Sequence, residues 1–360
     1  MRYVMMVAMV LSTALPTGAA EKDKGFEIRR GTNISHWLSQ STRRGEERAR
    51  FFTEKDVELI ASLGFDHIRL PVDEEQLWDE AGNKEPEAFA LLHSALGWAQ
   101  KRNLRVVVDL HILRSHHFNA AEKPLWTDPK AQDKFLALWR DLSAELGKYP
   151  VTLVAYELMN EPVADDPEDW NRLVEKAVRQ VRRNEPHRKL VIGSNKWQSV
   201  DTFDQLRVPP DDRDIILSFH FYTPMLLTHY RASWTNVGKY QGPVSYPGLL
   251  VDPGEIEKLD PEVAGIVKSN NGAYNRERLE GLLEKPLALA QKLDLPLYCG
   301  EWGAISGAPE APRLQWYRDM RANLEKHGIA WATWDYKGGF GIVGRGGRQN
   351  SDLIQVLLGR

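Results

Sequence analysis

The sequence of 360 residues contains a single cysteine, Cys299, so no disulfide can form within the chain. Stability must therefore come from the packing of a large core. Cys299 lies in the apolar run PLYCGEWGA, which predicts a buried and unreactive thiol. The chain also lacks a surplus of either charge, since 47 basic residues stand against 50 acidic ones. A strongly basic surface is absent, and we expect no nucleic-acid partner.

No apolar run reaches the roughly 20 residues that a membrane-spanning helix needs. An apolar run over residues 4–15 follows Arg2 and precedes the small residues Gly18, Ala19 and Ala20. A positive charge, a short apolar run and small residues in that order are typical of a cleavable signal peptide. We therefore predict a signal peptide over residues 1–20, a single domain over residues 21–360, and a secreted or periplasmic protein cleaved near Ala20.

Past residue 20, eight apolar β-type runs alternate with amphipathic helical patterns. The predicted strands are residues 28–35, 65–72, 104–111, 151–160, 189–194, 214–222, 295–302 and 329–336. Eight such units predict an α/β fold with a single (β/α)8 TIM barrel. An open doubly wound sheet is the alternative, but no strand is followed by a glycine-rich phosphate loop. A long irregular stretch, residues 223–275, is predicted to be a functional insertion after the sixth strand.

Polar and aromatic side chains accumulate at the predicted carboxyl ends of the strands, where a TIM barrel places its active site. They are Asn33, His36, Arg69, His111, Asn160, Glu161, His220, Tyr222, Glu301 and Trp334. Burying so many polar groups at one end of a barrel is unfavourable unless they bond to one another or to a ligand. The sequence therefore predicts a functional site at this end.

Two carboxylates, Glu161 and Glu301, fall on strands four and seven, across the barrel mouth from each other. Glycoside hydrolysis uses such a pair, in which one carboxylic acid protonates the leaving oxygen and one carboxylate attacks the anomeric carbon. We expect the two carboxyl groups to lie about 5–5.5 Å apart, as in retaining enzymes. Arg69 and Tyr222, if they are close to Glu301, would each act to lower its pKa.

The segment YELMNEPV, which contains Asn160, Glu161 and Pro162, resembles the Asn-Glu-Pro signature of the cellulase-type family 5 glycoside hydrolases. The segments IRLPV, DLH, SFHFY, YCGEWG and ATWDYK match that family in order and spacing, over essentially the whole chain after residue 20. The resemblance implies that Glu161 is the acid/base and Glu301 the nucleophile. It implies a supporting set of Arg69, His111, Asn160, His220, Tyr222 and Trp334. The segment GTNISHWL is similar to the family's first strand, so His36 and Trp37 are expected to support substrate binding.

Cellulase activity is the commonest in this family, so the resemblance implies a retaining endo-β-1,4-glucanase that acts on β-glucan. Nothing in the sequence demands a metal or cofactor, and we expect a monomer. A β-mannanase, a β-1,3-glucanase and a β-glucosidase-like enzyme are alternatives on the same barrel. A catalytically silent barrel that only binds carbohydrate is a further alternative. The presence of both Glu161 and Glu301 favours an enzyme.

Other chemistries are less compatible with the sequence. A metal site in the DLHILRSHH segment would use Asp109, His111, His116 and His117, but their spacing matches no common ligand pattern. A Schiff-base role for Lys196 would require desolvation, which the polar loop GSNKWQS does not provide. Glu157 points into the predicted barrel below Glu161, and we expect it to be a structural partner of an inward-facing cation or hydroxyl.

The predicted signal peptide is directly testable. Expression in a secreting host should release a protein that begins near Glu21, because signal peptidase cleaves after small residues. Mass spectrometry of the exported protein measures this N-terminus. An exported protein that retains Met1 would show that the segment is an anchor.

Overall fold

The computed structural model describes residues 25–344 and 347–360, so the predicted signal peptide lies outside the described residues. Eight parallel strands form a closed barrel in which neighbours in the chain are neighbours in space and the first strand pairs with the last. The strands are β1 (Arg30–Asn33), β2 (His67–Val72), β3 (Arg105–Leu110), β4 (Val154–Glu157), β5 (Leu190–Gly193), β6 (Ile215–Phe221), β7 (Leu297–Trp302) and β8 (Ala330–Thr333). The predicted TIM barrel is confirmed.

Helices surround the barrel. The longer ones are α1 (Gly45–Phe51), α2 (Glu54–Leu63), α3 (Pro86–Lys101), α4 (Pro129–Leu146), α5 (Pro167–Arg182), α6 (Pro261–Asn270), α7 (Arg276–Gly281), α8 (Glu284–Leu293), α9 (Glu310–Lys326) and α10 (Ser351–Leu358). Several begin at an Asp-Pro pair. At α4 and α5, the carboxylates of Asp128 and Asp166 accept the N–H of the second helical residue. The aspartate satisfies an end group, and the following proline has the backbone angle of a first helical turn.

The barrel interior changes from apolar to polar along its axis. One layer consists of apolar side chains from alternate strand positions: Val107, Ala155, Val191, Ile216, Tyr298 and Ala332. The next inward positions along the strands carry polar groups, among them Arg69, Asp109, Glu157 and Ser218, all buried. Because strand residues two apart face the same side, the pattern places charged groups directly below the carboxyl ends of the strands.

An extra residue in β7 changes the direction of its last side chains. On one side, Phe219 pairs with Cys299 but His220 pairs with Glu301, so the register passes over Gly300. A register shift occurs at the same place against β8. This is a β-bulge, which reverses the alternation beyond it. As a result both Tyr298 and Glu301 face the interior, although they are three residues apart.

The stretch after β6, expected to be irregular, contains regular structure. It includes α6, the short helices Met225–Thr228 and Pro253–Ile256, and an antiparallel pair of two-residue strands, Gly248–Leu249 and Ala273–Tyr274. Gly248 and Pro253 are the first residues of two of these elements, whereas Gly242 and Pro243 lie before them in irregular chain. Within residues 25–344 and 347–360, no helix combines the length and apolar character required to cross a bilayer.

Candidate active site

The guanidinium group of Arg69 lies at the centre of the polar layer. Its Nε and Nη2 donate to the two carboxylate oxygens of Glu157, at 2.6 and 3.1 Å. Nη2 also lies 3.0 Å from Asp109 Oδ2. Glu157 therefore pairs with an inward-facing cation, one of the two kinds of partner expected for it. Burial raises the pKa of Asp109 to about 7 although the charge of Arg69 acts to lower it.

The same guanidinium also contacts two groups of the proposed reaction centre, Glu301 and Asn160. Arg69 Nη1 donates to Glu301 Oε1 at 2.7 Å, and Nη2 donates to Asn160 Oδ1 at 2.8 Å. The hydroxyl of Tyr222 donates to the other oxygen of Glu301, Oε2, at 2.9 Å. Each oxygen of Glu301 thus accepts a hydrogen bond, which fixes the plane of the carboxyl group.

Glu161 lies beyond the end of β4, and no lysine or arginine among the described residues forms an ion pair with it. Its Oε1 is 2.9 Å from Nδ1 of His220, and the same nitrogen is 3.6 Å from Glu301 Oε2. One carboxylate oxygen of Glu161, one of Glu301 and one ring nitrogen of His220 all lie within 4.8 Å of one another. The two carboxyl groups therefore converge, as their positions on strands four and seven predict.

Burial raises the pKa of Glu161 well above its usual value, and the charge of Glu301 raises it further. Burial also raises the pKa of Glu301, but Arg69 and the hydrogen bond from Tyr222 oppose this shift. Arg69 and Tyr222 act to lower the pKa of Glu301, as expected, but the effect of burial is larger. Of the two carboxyl groups, Glu161 is the one that keeps its proton to higher pH. The pKa of His220 is lowered well below its usual value by burial and by Arg69, so the ring is neutral.

Aromatic rings lie beside these carboxyl groups. The ring of Trp334 stacks on His111 with centroids 5.7 Å apart and planes 9° apart. Nδ1 of His111 bonds to Asp109 Oδ2 at 2.7 Å, which fixes the orientation of the imidazole. His36 meets the edge of Trp334 at 6.4 Å and is partly exposed.

The expectation that Trp37 supports substrate binding is wrong. Its side chain is 0% exposed, its indole N–H donates to the carbonyl of Arg48 at 2.8 Å, and its ring packs on Phe52. The chain turns between His36 and Trp37, with a positive φ at His36, so the two side chains point to different environments. Trp37 is a core residue.

The geometry of Glu161, His220 and Glu301 also resembles a set of metal ligands. The chemistry of the set argues against that use. The guanidinium of Arg69 already lies 2.7 Å from Glu301, and its positive charge repels a cation at the same place. His220 Nδ1, the nitrogen near both carboxylates, is already engaged by Glu161.

Comparison with known proteins agrees with this geometry. The family described as cellulase, glycosyl hydrolase family 5, matches residues 23–339. The chain belongs to glycosyl hydrolase family 5. It is therefore a glycoside hydrolase.

Individual relatives align with most of the length of this hydrolase. Endoglucanase C of Acetivibrio thermocellus is 34% identical over 312 residues, which are 85% of this chain and 90% of the relative. Cellodextrinase A of Ruminococcus flavefaciens is 28% identical over 311 residues, which are 85% of this chain and 85% of the relative. The crystal structure of endoglucanase Cel5A from Thermotoga maritima superposes with a TM-score of 0.74 at 25% identity, over 91% of this chain and 96% of that one.

Three residues of the hydrolase's polar network, Gln198, Ser218 and Asp109, were not predicted from the sequence as site residues. Gln198 donates to Glu157 Oε1 and to Ser218 Oγ, both at 3.2 Å, and Asp109 joins Arg69 to His111. Asp109 is detectable because it lies two residues before His111 on an inward-facing strand position. Gln198 gives no such signal, because an unusual turn rather than a strand carries it.

Replacing Arg69 with methionine tests the central charge. We expect the free energy of unfolding to fall by about 3–5 kcal/mol, because the buried carboxylates lose their counter-ion. Those carboxyl groups then bind protons more tightly in the folded state than in the unfolded state. The decrease in the free energy of unfolding should therefore be larger at about pH 8 than at about pH 5, as measured by urea unfolding.

Arg188→Met is the matched control. Arg188 is equally buried, but it pairs with one carboxylate, Glu185, and otherwise donates to the backbone carbonyls of Tyr149, Pro150 and Val154. Its loss should destabilise the hydrolase with a weaker pH dependence. The same pH dependence in both variants would contradict the role assigned to Arg69.

Proposed function

We propose that this hydrolase is an endo-β-1,4-glucanase that acts with retention of configuration, with Glu161 as acid/base and Glu301 as nucleophile. The convergence of two buried carboxyl groups with different surroundings carries the proposal. Their closest approach, within 4.8 Å, fits the short separation of retaining enzymes better than the wider gap that holds a water molecule in inverting ones.

The first step needs one ionised and one protonated carboxyl group. Glu301, held by Arg69 and Tyr222, attacks the anomeric carbon and forms a glycosyl ester. At the same time Glu161 gives its proton to the departing glycosidic oxygen, which leaves as an alcohol. The pKa of the Tyr222 hydroxyl is raised well above its usual value by burial and by the charge of Glu301, so it remains a donor to the nucleophile.

The second step reverses these roles. Once its proton has left with the alcohol, Glu161 is a carboxylate and removes a proton from a water molecule. The resulting oxygen attacks the anomeric carbon, the ester bond to Glu301 breaks, and the sugar is released with its original configuration. Loss of the charge on Glu301 in the ester lowers the pKa of Glu161, which favours its action as a base at this stage.

Asn160 is suited to hold the sugar next to the reacting carbon. Its carbonyl oxygen accepts from Arg69, while its amide nitrogen is buried and, within the described residues, has no hydrogen-bond partner. A buried donor without a partner is unfavourable unless a ligand completes it. We assign this nitrogen to a sugar hydroxyl and the faces of Trp334 and His111 to the wall of the same pocket.

A long glucan chain requires contacts beyond the reacting sugar. Trp197 and Trp234 are 45% and 57% exposed, which is unusual for large aromatic side chains. Trp197 precedes Gln198, which bonds to the backbone of Glu161, and Trp234 contacts the ring of His229 beside Tyr222. Sugar rings pack against such flat faces, so we assign both tryptophans to binding of the polymer.

The substrate assignment rests on the relatives named endoglucanase and cellodextrinase. We further propose that the hydrolase acts outside the cytoplasm, as residues 1–20 indicate, and as a monomer, because one chain supplies every side chain of the described site. Residues 21–360 then form one catalytic domain. Glu161 and Glu301 are both present and converge, which supports an enzyme over a silent carbohydrate-binding barrel.

A panel of polysaccharides tests the substrate. Carboxymethylcellulose should be hydrolysed fastest, with viscosity falling ahead of the release of reducing ends, as internal cleavage requires. Mannan, laminarin and xylan are the comparison substrates, and the Glu301→Ala protein gives the background. Faster hydrolysis of mannan or laminarin would replace the β-1,4-glucanase assignment, and activity no higher than background on every glycan would favour the silent barrel.

Substitution of the two glutamates separates their roles. Glu301→Ala should abolish turnover of every substrate, because the nucleophile is needed whatever the leaving group. Glu161→Ala should lower kcat/KM for cello-oligosaccharides by about 10²–10⁴-fold, the usual contribution of a general acid. It should spare kcat/KM for an aryl cellobioside whose phenol is acidic, because that leaving group needs no proton.

Added azide provides the stereochemical readout. With Glu161→Ala it should attack the glycosyl-enzyme and yield a β-glycosyl azide, whereas with Glu301→Ala it should attack the substrate and yield the α-anomer. NMR of the products distinguishes the two. If folded Glu161→Ala were equally inactive on both substrates and azide restored nothing, the acid/base role would belong to another group.

A further inference from the structure

The backbone at Glu161 has an unusual conformation. Its φ is +44°, in the left-handed region that a residue with a Cβ atom rarely occupies. Such a conformation persists only where the surrounding structure holds it. Glu161 also lies four residues beyond the last residue of β4, Glu157, so the strand ladder does not fix it.

Two side chains hold the peptide groups on either side of this Cα atom. Oε1 of Gln198 accepts the N–H of Glu161 at 2.9 Å. On the other side, Nε2 of His116 lies 3.2 Å from the carbonyl oxygen of Glu161. Since a carbonyl only accepts, His116 donates through Nε2. Both partners are buried.

Gln198 is itself held firmly. Its amide nitrogen donates to Glu157 and to Ser218, so the side chain connects the Glu161 backbone to the charged layer around Arg69. Gln198 ends a run of three residues with positive φ, which begins at Lys196. On β5, a Cβ atom at Gly193 would lie 2.2 Å from Gln198 Nε2, so only glycine leaves room for this amide.

His116 is suited to a bond that does not change with pH. Burial, with the charges of Lys123 and His117, lowers its pKa to about 3, so the ring stays neutral. The ring packs edge-on against Trp126 at 5.2 Å, which limits its rotation. The donor therefore remains in one place at any pH at which Glu161 changes its protonation state.

We propose that Gln198 and His116 are positioning residues that hold Glu161 in its left-handed conformation and so aim its carboxyl group at the leaving oxygen. The proposal rests on the acid/base role of Glu161. Neither side chain reaches the reacting atoms. Both act through the two peptide groups of Glu161, and their removal lets this backbone relax and carry the proton away from the leaving group.

The first test is Gln198→Met, which keeps the length of the side chain and removes its hydrogen bonds. For cello-oligosaccharides, kcat/KM should fall by about 10²-fold, because a small misplacement of a reacting group costs about that much in rate. The decrease should appear in kcat rather than in KM. For the aryl cellobioside with an acidic phenol, kcat/KM should remain at the wild-type value. A general structural defect would lower both rates together.

A pair of variants at position 116 tests the other bond. His116→Phe keeps a ring against Trp126 but has no donor, and it should show the same dependence on the leaving group. His116→Gln places an amide N–H near the position of Nε2 and should restore most of the activity on cello-oligosaccharides. If Gln198→Met does not fold, as judged by circular dichroism, this pair decides the question alone.

Thr202→Val is the control for damage to the loop. Thr202 donates to the carbonyl of Asn195 at 2.6 Å in the same segment as Gln198 without touching Glu161, so both substrates should react at wild-type rates. Glu161→Ala is measured in parallel. If that variant shows no dependence on the leaving group, the acid/base assignment fails. Suppose instead that Glu161→Ala shows the dependence on the leaving group. If the Gln198 and His116 variants then lose activity equally on both substrates, or lose it on neither substrate, the positioning role is wrong.

Discussion

A guanidinium group that cannot lose its charge is buried in the barrel, and the geometry of the site depends on how that charge is neutralised. Arg69 is 0% exposed and contacts the carboxylates of Asp109, Glu157 and Glu301. Because its planar fork has five N–H donors, it fixes several partners at once. The lower carboxylates hold the fork in place, and the fork then fixes Glu301 and the amide of Asn160. The layer below the site is therefore a support for it.

Sequence order predicted the fold well because the barrel depends on a simple repeat. Eight apolar runs, separated by helical patterns, favoured one topology, and polar residues at the run ends marked the correct face. Strand boundaries were less accurate. The predicted strand 151–160 is observed only as Val154–Glu157, because the chain bends away beyond it while Asn160 still donates to the Leu110 carbonyl at 3.1 Å. Hydropathy does not register that bend, since Leu158 and Met159 remain buried.

The features that the sequence did not reveal depend on backbone geometry. The bulge at Gly300 turns Glu301 inward, whereas strict alternation from Tyr298 would have directed it outward. Gln198 occupies its place through three consecutive positive φ angles, and no residue pattern in GSNKWQS indicates them. Trp37 was misassigned for a related reason: its neighbour His36 also has a positive φ, and the reversal places the tryptophan in the core. Residue types indicate which groups are available, but local turns decide which of them meet.

The two carboxyl groups are held by different kinds of contact, and the difference fits the roles proposed for them. A nucleophile has to be ionised when it attacks, so direct contact with Arg69 suits Glu301. An acid/base has to lose and regain a proton in every cycle, and a cation in contact with it would favour one of the two states. Glu161 is instead held through its backbone by Gln198 and His116, which are neutral, and its carboxyl group contacts His220, which is neutral as well. Such contacts fix the position of Glu161 and leave its charge free to change.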